Sequence, residues 1–217
     1  MNVKYLVIHT AAFRGKNCDA ELIDRWHKQK GWDCIGYHYV ILNDRHDNKA
    51  DGTVESGRSV NKAGAHAYGI NSKSIGICCI GHGDYEPFTQ AQFDALYKLL
   101  AQLIKQYQLT AESIIGHRDL NDLIEQGLLS ASYRTNKSCP GKRIDMDAIR
   151  LNVHRYFDAS TLVEESLNKS GNQHAANEVK QALATIEEHQ HLFPNAVDEL
   201  LQFKYHPEVI ELINQSE

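Results

Sequence analysis

The sequence predicts an α/β domain, a central mixed β-sheet flanked by helices, with a C-terminal helical appendage. Short apolar or β-branched runs at residues 3–9, 36–42, 74–81 and 113–116 alternate with stretches that carry apolar residues at helical spacing. A chain of 217 residues, 42% hydrophobic and 24% charged, is long enough to bury a core and too apolar for disorder or a fibrous repeat. Beyond residue 160 only helical patterns remain.

Residues 3–9 read as a strand buried on both faces, which puts His9 at the end of a central strand. Asp19 is placed to cap a helix to about residue 30, with Leu22, Ile23, Trp26 and Lys30 on one side and Gly31 as its stop. Residues 36–42 form the next strand, 43–51 a polar loop, and 52–57 a short strand between turn residues. A third apolar strand follows at 74–81. Thr89 caps a long helix to about residue 107, where Phe93, Leu96, Leu99, Leu100, Leu103 and Ile104 make an apolar stripe. Residues 113–116 are a short strand running into His117. From 118 to 137 the chain is polar and irregular with room for one short helix, and a loop of that length in a compact domain usually serves function. A helix over 145–157 closes the first domain.

The division is therefore a domain of residues 1–158 and an acidic helical region of residues 159–217, with the boundary near 158–172, where Ser170, Gly171 and Asn172 break the periodicity. The second part balances ten Asp/Glu against three Lys/Arg, or −7, while the first carries +2 of the total −5. Its amphipathic stripes read as helices packed on the parent domain, with a docking face for a protein partner as the alternative.

Neither part has the clustered basic stripe of a nucleic-acid binder. No apolar run approaches the roughly 18 residues of a membrane span, and no basic stretch followed by an apolar segment opens the chain, so synthesis in the cytoplasm is expected. The five cysteines, Cys18, Cys34, Cys78, Cys79 and Cys139, are an odd number in such a chain and argue against a disulfide framework. Twelve histidines make metal chemistry the first thing to test. His9, His117 and Cys139 all stand at element ends, and two imidazoles with one thiolate leave a fourth tetrahedral position open, as in catalytic zinc sites. The competing reading is of polar residues that simply end strands.

The runs VIHTAA, GWDCIGYHYVI, DGTVESGR, AGAHAYGINSKSIGI, IIGHRD and NKSCPGKRID, in that order over residues 3–157, resemble the zinc-dependent N-acetylmuramoyl-L-alanine amidases. That family includes the phage lysozyme-type amidases and the peptidoglycan recognition proteins. The resemblance implies a Zn²⁺ cofactor held by His9, His117 and Cys139. It also implies hydrolysis of the bond between N-acetylmuramic acid and L-alanine in peptidoglycan. Tyr37 matches the tyrosine beside the zinc-bound water and Lys137 the lysine facing the developing oxyanion. His66 falls in a stretch near substrate in relatives and is either a groove residue or a hydrogen-bonded turn histidine. Retention of Cys139, often lost in members without activity, favours an enzyme over a non-catalytic muropeptide-binding module. An endolysin or antibacterial effector acting at the cell wall is the implied setting, with muropeptide recycling in the cytoplasm as the alternative.

The remaining candidates read as structural. His38 is expected to point to the sheet face opposite Tyr37, and Cys78 and Cys79 to opposite faces as buried thiols. Cys18 and Cys34 are expected as free thiols, and Trp26 and Trp32 as packing residues, with stacking on a glycan as the alternative. The H-R-D-L segment at His117 lacks the glycine-rich loop and strand lysine a kinase needs. The loop at 43–51 and the stretch at 118–137 are longer than in compact relatives, and each either borders the groove or is a neutral insertion.

Overall fold

In the computed structural model, which describes residues 1–153, five strands form one mixed sheet: β1 (Tyr5–Thr10), β2 (Tyr39–Ile41), β3 (Val54–Ser56), β4 (Ser74–Cys79) and β5 (Ile114–Gly116). Their order is β3-β2-β4-β1-β5. Only the β2–β3 pair is antiparallel, as expected of a hairpin, whereas β1 pairs in parallel with both β4 and β5. The all-buried apolar runs of β1 and β4 follow from that position, covered on both faces.

The helix termini form as the capping residues dictate. Asp19 accepts from the Leu22 amide at 2.8 Å to start α1 (Ala20–Gln29), and Gly31 at φ +83° ends it. Thr89 and Gln92 form a reciprocal capping box at the start of α2 (Gln90–Tyr107). The short helix expected in 118–137 is α3 (Leu120–Glu125). Residues 146–153 are helical, while the rest of the helix predicted to 157, the boundary near 158–172 and the region 159–217 lie outside the described residues.

The register puts Val7, His9, Val40, Gly76, Cys78 and Ile115 on one face. There Ile23 of α1 packs with Val40 and Cys78 at one end, and Leu120 and Leu123 of α3 pack with Val7 and Ile115 at the other. The opposite face belongs to α2, whose Gln92 amide donates to the Ile41 and Ile80 carbonyls at 3.0 and 2.9 Å.

Two expectations change. The strand predicted over 36–42 pairs regularly only from Tyr39 to Ile41. Before it, the Gly36 amide donates to His27 Nδ1 at 3.0 Å, and a Cβ on Gly36 would meet the Ala65 carbonyl oxygen at 2.3 Å, so this segment follows α1 and a neighbouring loop. Strict alternation therefore fails at residues 37 and 38. His38 is buried as expected, but its ring lies edge-on to His66, 5.6 Å between centroids, instead of on the far face.

His38 makes stability pH-dependent. Its Nδ1 accepts from the Gly76 amide at 2.9 Å, and Nε2 faces the Lys62 carbonyl at 3.1 Å and so donates. Protonation would set a second N–H against the Gly76 donor. Burial holds its pKa below the ordinary 6.5, although the Lys62 contact opposes the shift. Between the folded and unfolded values the unfolded chain binds more protons, so this contribution is complete above pH 6.5 and is lost as pH falls through that range. The urea midpoint is expected to fall between about pH 7.5 and 5.5, and less so in His38→Gln. A pH-independent midpoint would refute it.

Candidate metal centre

Three distant segments meet above the carboxyl end of β1. His9 is the penultimate residue of that strand, His117 follows β5 directly, and Cys139 sits in the loop before Pro140. Cys139 Sγ lies 3.6 Å from His9 Nδ1, and one ligand atom from each of His9, His117 and Cys139 falls within 4.8 Å of the others. An imidazole nitrogen and a thiolate on one tetrahedral zinc would be about 3.5 Å apart. The donor set of two imidazoles and a thiol is likewise one that suits zinc.

The backbone around Cys139 is held by the residue after His117. The Arg118 amide donates to the Cys139 carbonyl at 2.8 Å, and its guanidinium reaches the carbonyls of Gly141, Ile144 and Ser138 at 2.5, 2.8 and 3.4 Å. Asp119 accepts from the Gly116 amide at 2.8 Å. Within H-R-D, then, His117 faces the site, Arg118 stitches the cysteine loop and Asp119 ties the turn. The Thr10 amide points at Cys139 Sγ from 3.5 Å. The loop lies close on the sheet end because two glycines cross there: a Cβ on Gly83 would meet the Pro140 carbonyl oxygen at 2.0 Å. Gly83→Ala is expected to cost about 2 kcal/mol, since the obstruction is backbone. Urea denaturation measures it, and an unchanged midpoint would remove this account of how the loop is seated.

Burial, then the charges of His66, His117 and Lys137, hold His9 well below its ordinary pKa. Burial and Lys137 bring His117 down to about 4. Burial also pushes Cys139 up to about 11, against the lowering pull of the Thr10 amide, Lys137 and Arg118. Tyr37, its ring centroid 5.0 Å from that of His9, is raised well above the usual phenol value, chiefly by burial. The Cys78 and Cys139 thiols add to that shift, Cys78 also as the hydrogen-bond partner of the phenol.

Beside the triad opens a groove of about 400 Å³ whose lining includes Trp32, His66, Tyr68, His117, Tyr133 and Lys137. The two long segments now separate. Residues 120–137 supply much of the groove wall. The 43–51 loop is tied down elsewhere, Asp47 to Lys16 and Asn17, Lys49 to Asp19 and Glu55, and Arg45 to Glu86. Lys137 is exposed on this wall, and His66 is buried at its base with Nδ1 3.0 Å from His9 Nε2. Trp26 packs on Phe13, whereas Trp32 packs at a tilt against His27 and also lines the groove. Cys78 and Cys79 are buried free thiols, as are the buried Cys18 and the half-buried Cys34.

Sequence reasoning missed Arg118, the Thr10 amide and Asn71, whose Oδ1 accepts from both the His66 and Ala67 amides at 2.9 and 2.8 Å. The adjacency of Arg118 to His117 was the available signal for the first, and Asn71, five residues after His66, follows the pattern of a local side-chain turn.

The sequence profile described as N-acetylmuramoyl-L-alanine amidase matches residues 1–142. An endolysin of Klebsiella phage KP32 is 40% identical over 103 residues, 45% of this chain and 62% of the relative. Peptidoglycan-recognition protein SC2 of Drosophila melanogaster is 34% identical over 128 residues, 54% of this chain and 65% of that protein. The chain thus spans just under two thirds of each of these curated relatives. Among solved structures, the N-acetylmuramoyl-L-alanine amidase LysC from Clostridium intestinale URNW superposes with a TM-score of 0.57 at 29% identity, covering 70% of this chain and 86% of that one. Among the described residues no helix is long and apolar enough to cross a membrane.

Proposed function

The chain belongs to the N-acetylmuramoyl-L-alanine amidase family, and from that premise we propose that it is a zinc-dependent hydrolase. It cleaves the amide between the lactyl group of N-acetylmuramic acid and L-alanine in bacterial peptidoglycan. The observation that carries this reading is the convergence of His9, His117 and Cys139 at the edge of an open groove.

These three residues hold the metal. When bound, zinc supplies a Lewis acid for the scissile carbonyl and lowers the pKa of water to about 7. The chain's own groups do the rest. The groove aligns the stem peptide so that its first amide lies at the triad, with Trp32, Tyr68 and Tyr133 offering apolar faces to the glycan and peptide. Lys137, on the groove wall beside His117, places its ammonium where the carbonyl oxygen becomes negative. The Tyr37 phenol, its ring beside that of His9, would steady the attacking water by turning from Cys78 toward the site. His66 forms the base of the groove.

The phage endolysin among the relatives supports a role in wall lysis, as an endolysin or antibacterial effector, rather than in recycling. Residues 159–217, at −7 against +2 for the remainder, form a separate acidic region in this reading.

Zinc-loaded protein incubated with purified sacculi is expected to release free stem peptides beginning at L-alanine, identified by mass spectrometry. Chelator stops the release and added zinc restores it. Binding to sacculi without release, in the presence of zinc, would overturn the hydrolase reading and leave a recognition module.

A further inference from the structure

The ring of His66 is held more firmly than a ligand-gripping side chain requires. A Cβ on Gly64 would approach its Cδ2 to 2.3 Å and one on Gly76 to 2.5 Å, so two glycines form the slot in which the imidazole lies. The backbone is pinned as well, by the paired amide bonds to Asn71 Oδ1. His38 closes the slot edge-on.

The hydrogen bonds around this ring run in one direction. Ser74 Oγ spends its single proton on the Ile70 carbonyl at 2.9 Å, so toward His66 Nε2, 3.5 Å away, it offers only a lone pair. His66 therefore carries its proton on Nε2 and presents a bare Nδ1 to His9. His9 Nε2, 3.0 Å from that nitrogen, must be the protonated one. Its Nδ1 is left bare and faces Cys139 Sγ at 3.6 Å. In the opposite direction, with His66 donating, His9 would carry its proton on the nitrogen that faces the triad.

We infer that His66 is a positioning residue for the metal: clamped between Gly64 and Gly76 and oriented by Ser74, it selects the His9 tautomer whose Nδ1 can ligate. This rests on the metal reading above and extends it, since the task usually given to a carboxylate or backbone carbonyl behind a ligating histidine is here given to a second imidazole. It also gives Gly76, in mid-strand, a reason to lack a side chain.

The test begins on the metal-free, full-length wild-type protein with ¹⁵N-labelled histidine, where long-range ¹H–¹⁵N correlation reads which nitrogen of each ring is protonated. His9 is expected as the Nε2–H tautomer. Three variants follow, with Zn²⁺ affinity measured by competition with a chromophoric chelator. His66→Leu is expected to lose the tautomer preference of His9 and bind zinc about 10- to 100-fold more weakly. His66→Asn, whose Oδ1 stands where Nδ1 was, is expected to keep the affinity within about threefold. Ser74→Ala is expected to blur the His9 tautomer while leaving the groove packed. An Nδ1–H tautomer of His9 in the wild type overturns the inference, as does wild-type zinc affinity in a folded His66→Leu. If wild-type protein binds no zinc, the metal reading falls, and the tautomer measurement, made without metal, still decides the orientation of the relay.

Discussion

Cys139→Ser and His9→Ala are each expected to reduce release of stem peptide by at least about 10³-fold, with loss of stoichiometric zinc by elemental analysis. The physical reason is the donor set. In the proposed site Cys139 would bring the one anionic ligand, and its loop is held by the carbonyl bond to the Arg118 amide and by the Thr10 amide aimed at its sulfur. A serine hydroxyl is shorter, harder and far less acidic, so it cannot replace the thiolate on a borderline-soft ion. His9 is buried and central, in contact with the rings of His117, Tyr37 and His66, so its removal leaves both a missing ligand and a polar cavity. A factor of 10³ corresponds to about 4 kcal/mol of transition-state stabilisation, within what a Lewis acid supplies. Full activity in either folded variant would sink the zinc assignment.

Lys137→Met carries the second largest expected effect, a fall in kcat of about 10²-fold with KM changed only a few-fold. The side chain is exposed, so its loss leaves the fold alone. Its positive charge nonetheless reaches the centre, contributing to the lowered pKa of both His9 and His117. A cation so placed attracts a carbonyl oxygen far more strongly once that oxygen becomes negative, and an interaction that strengthens in the transition state raises kcat. Lys137→Arg should recover part of the rate. Kinetics on a soluble muropeptide separate the terms, and a rise in KM with kcat intact would make Lys137 a binding residue instead.

Much of this was open to reading from the chain. Asp19, Gly31, Thr89 and Gln92 act through bonds to residues within one helical turn, so the helix limits follow from local chemistry. The buried runs of β1 and β4 likewise announce central strands. His9, His117 and Cys139 were legible as a set because the runs VIHTAA, IIGHRD and NKSCPGKRID resemble the amidase family, whereas their places at element ends left strand-ending polar residues as a competing reading. Harder to see were the shortening of β2, the side taken by His38, and the absence of the 43–51 loop from the groove. Each depends on a neighbour far along the chain: Gly36 on Ala65, His38 on Gly76, Lys49 on Asp19.

Fold class, helix caps, the central strands and the residue types of the candidate site were readable along the chain, because periodicity, capping and short motifs act over a few neighbouring residues. Folding in three dimensions was needed to bring His9 and Cys139, 130 residues apart, within 3.6 Å, to let Arg118 stitch the cysteine loop, and to set His66 behind His9 instead of free in the groove. Those outcomes depend on which parallel strands pair, on glycines that admit a ring or a crossing backbone, and on the single direction in which a buried hydrogen-bond relay can run. None of these is encoded by neighbours along the chain.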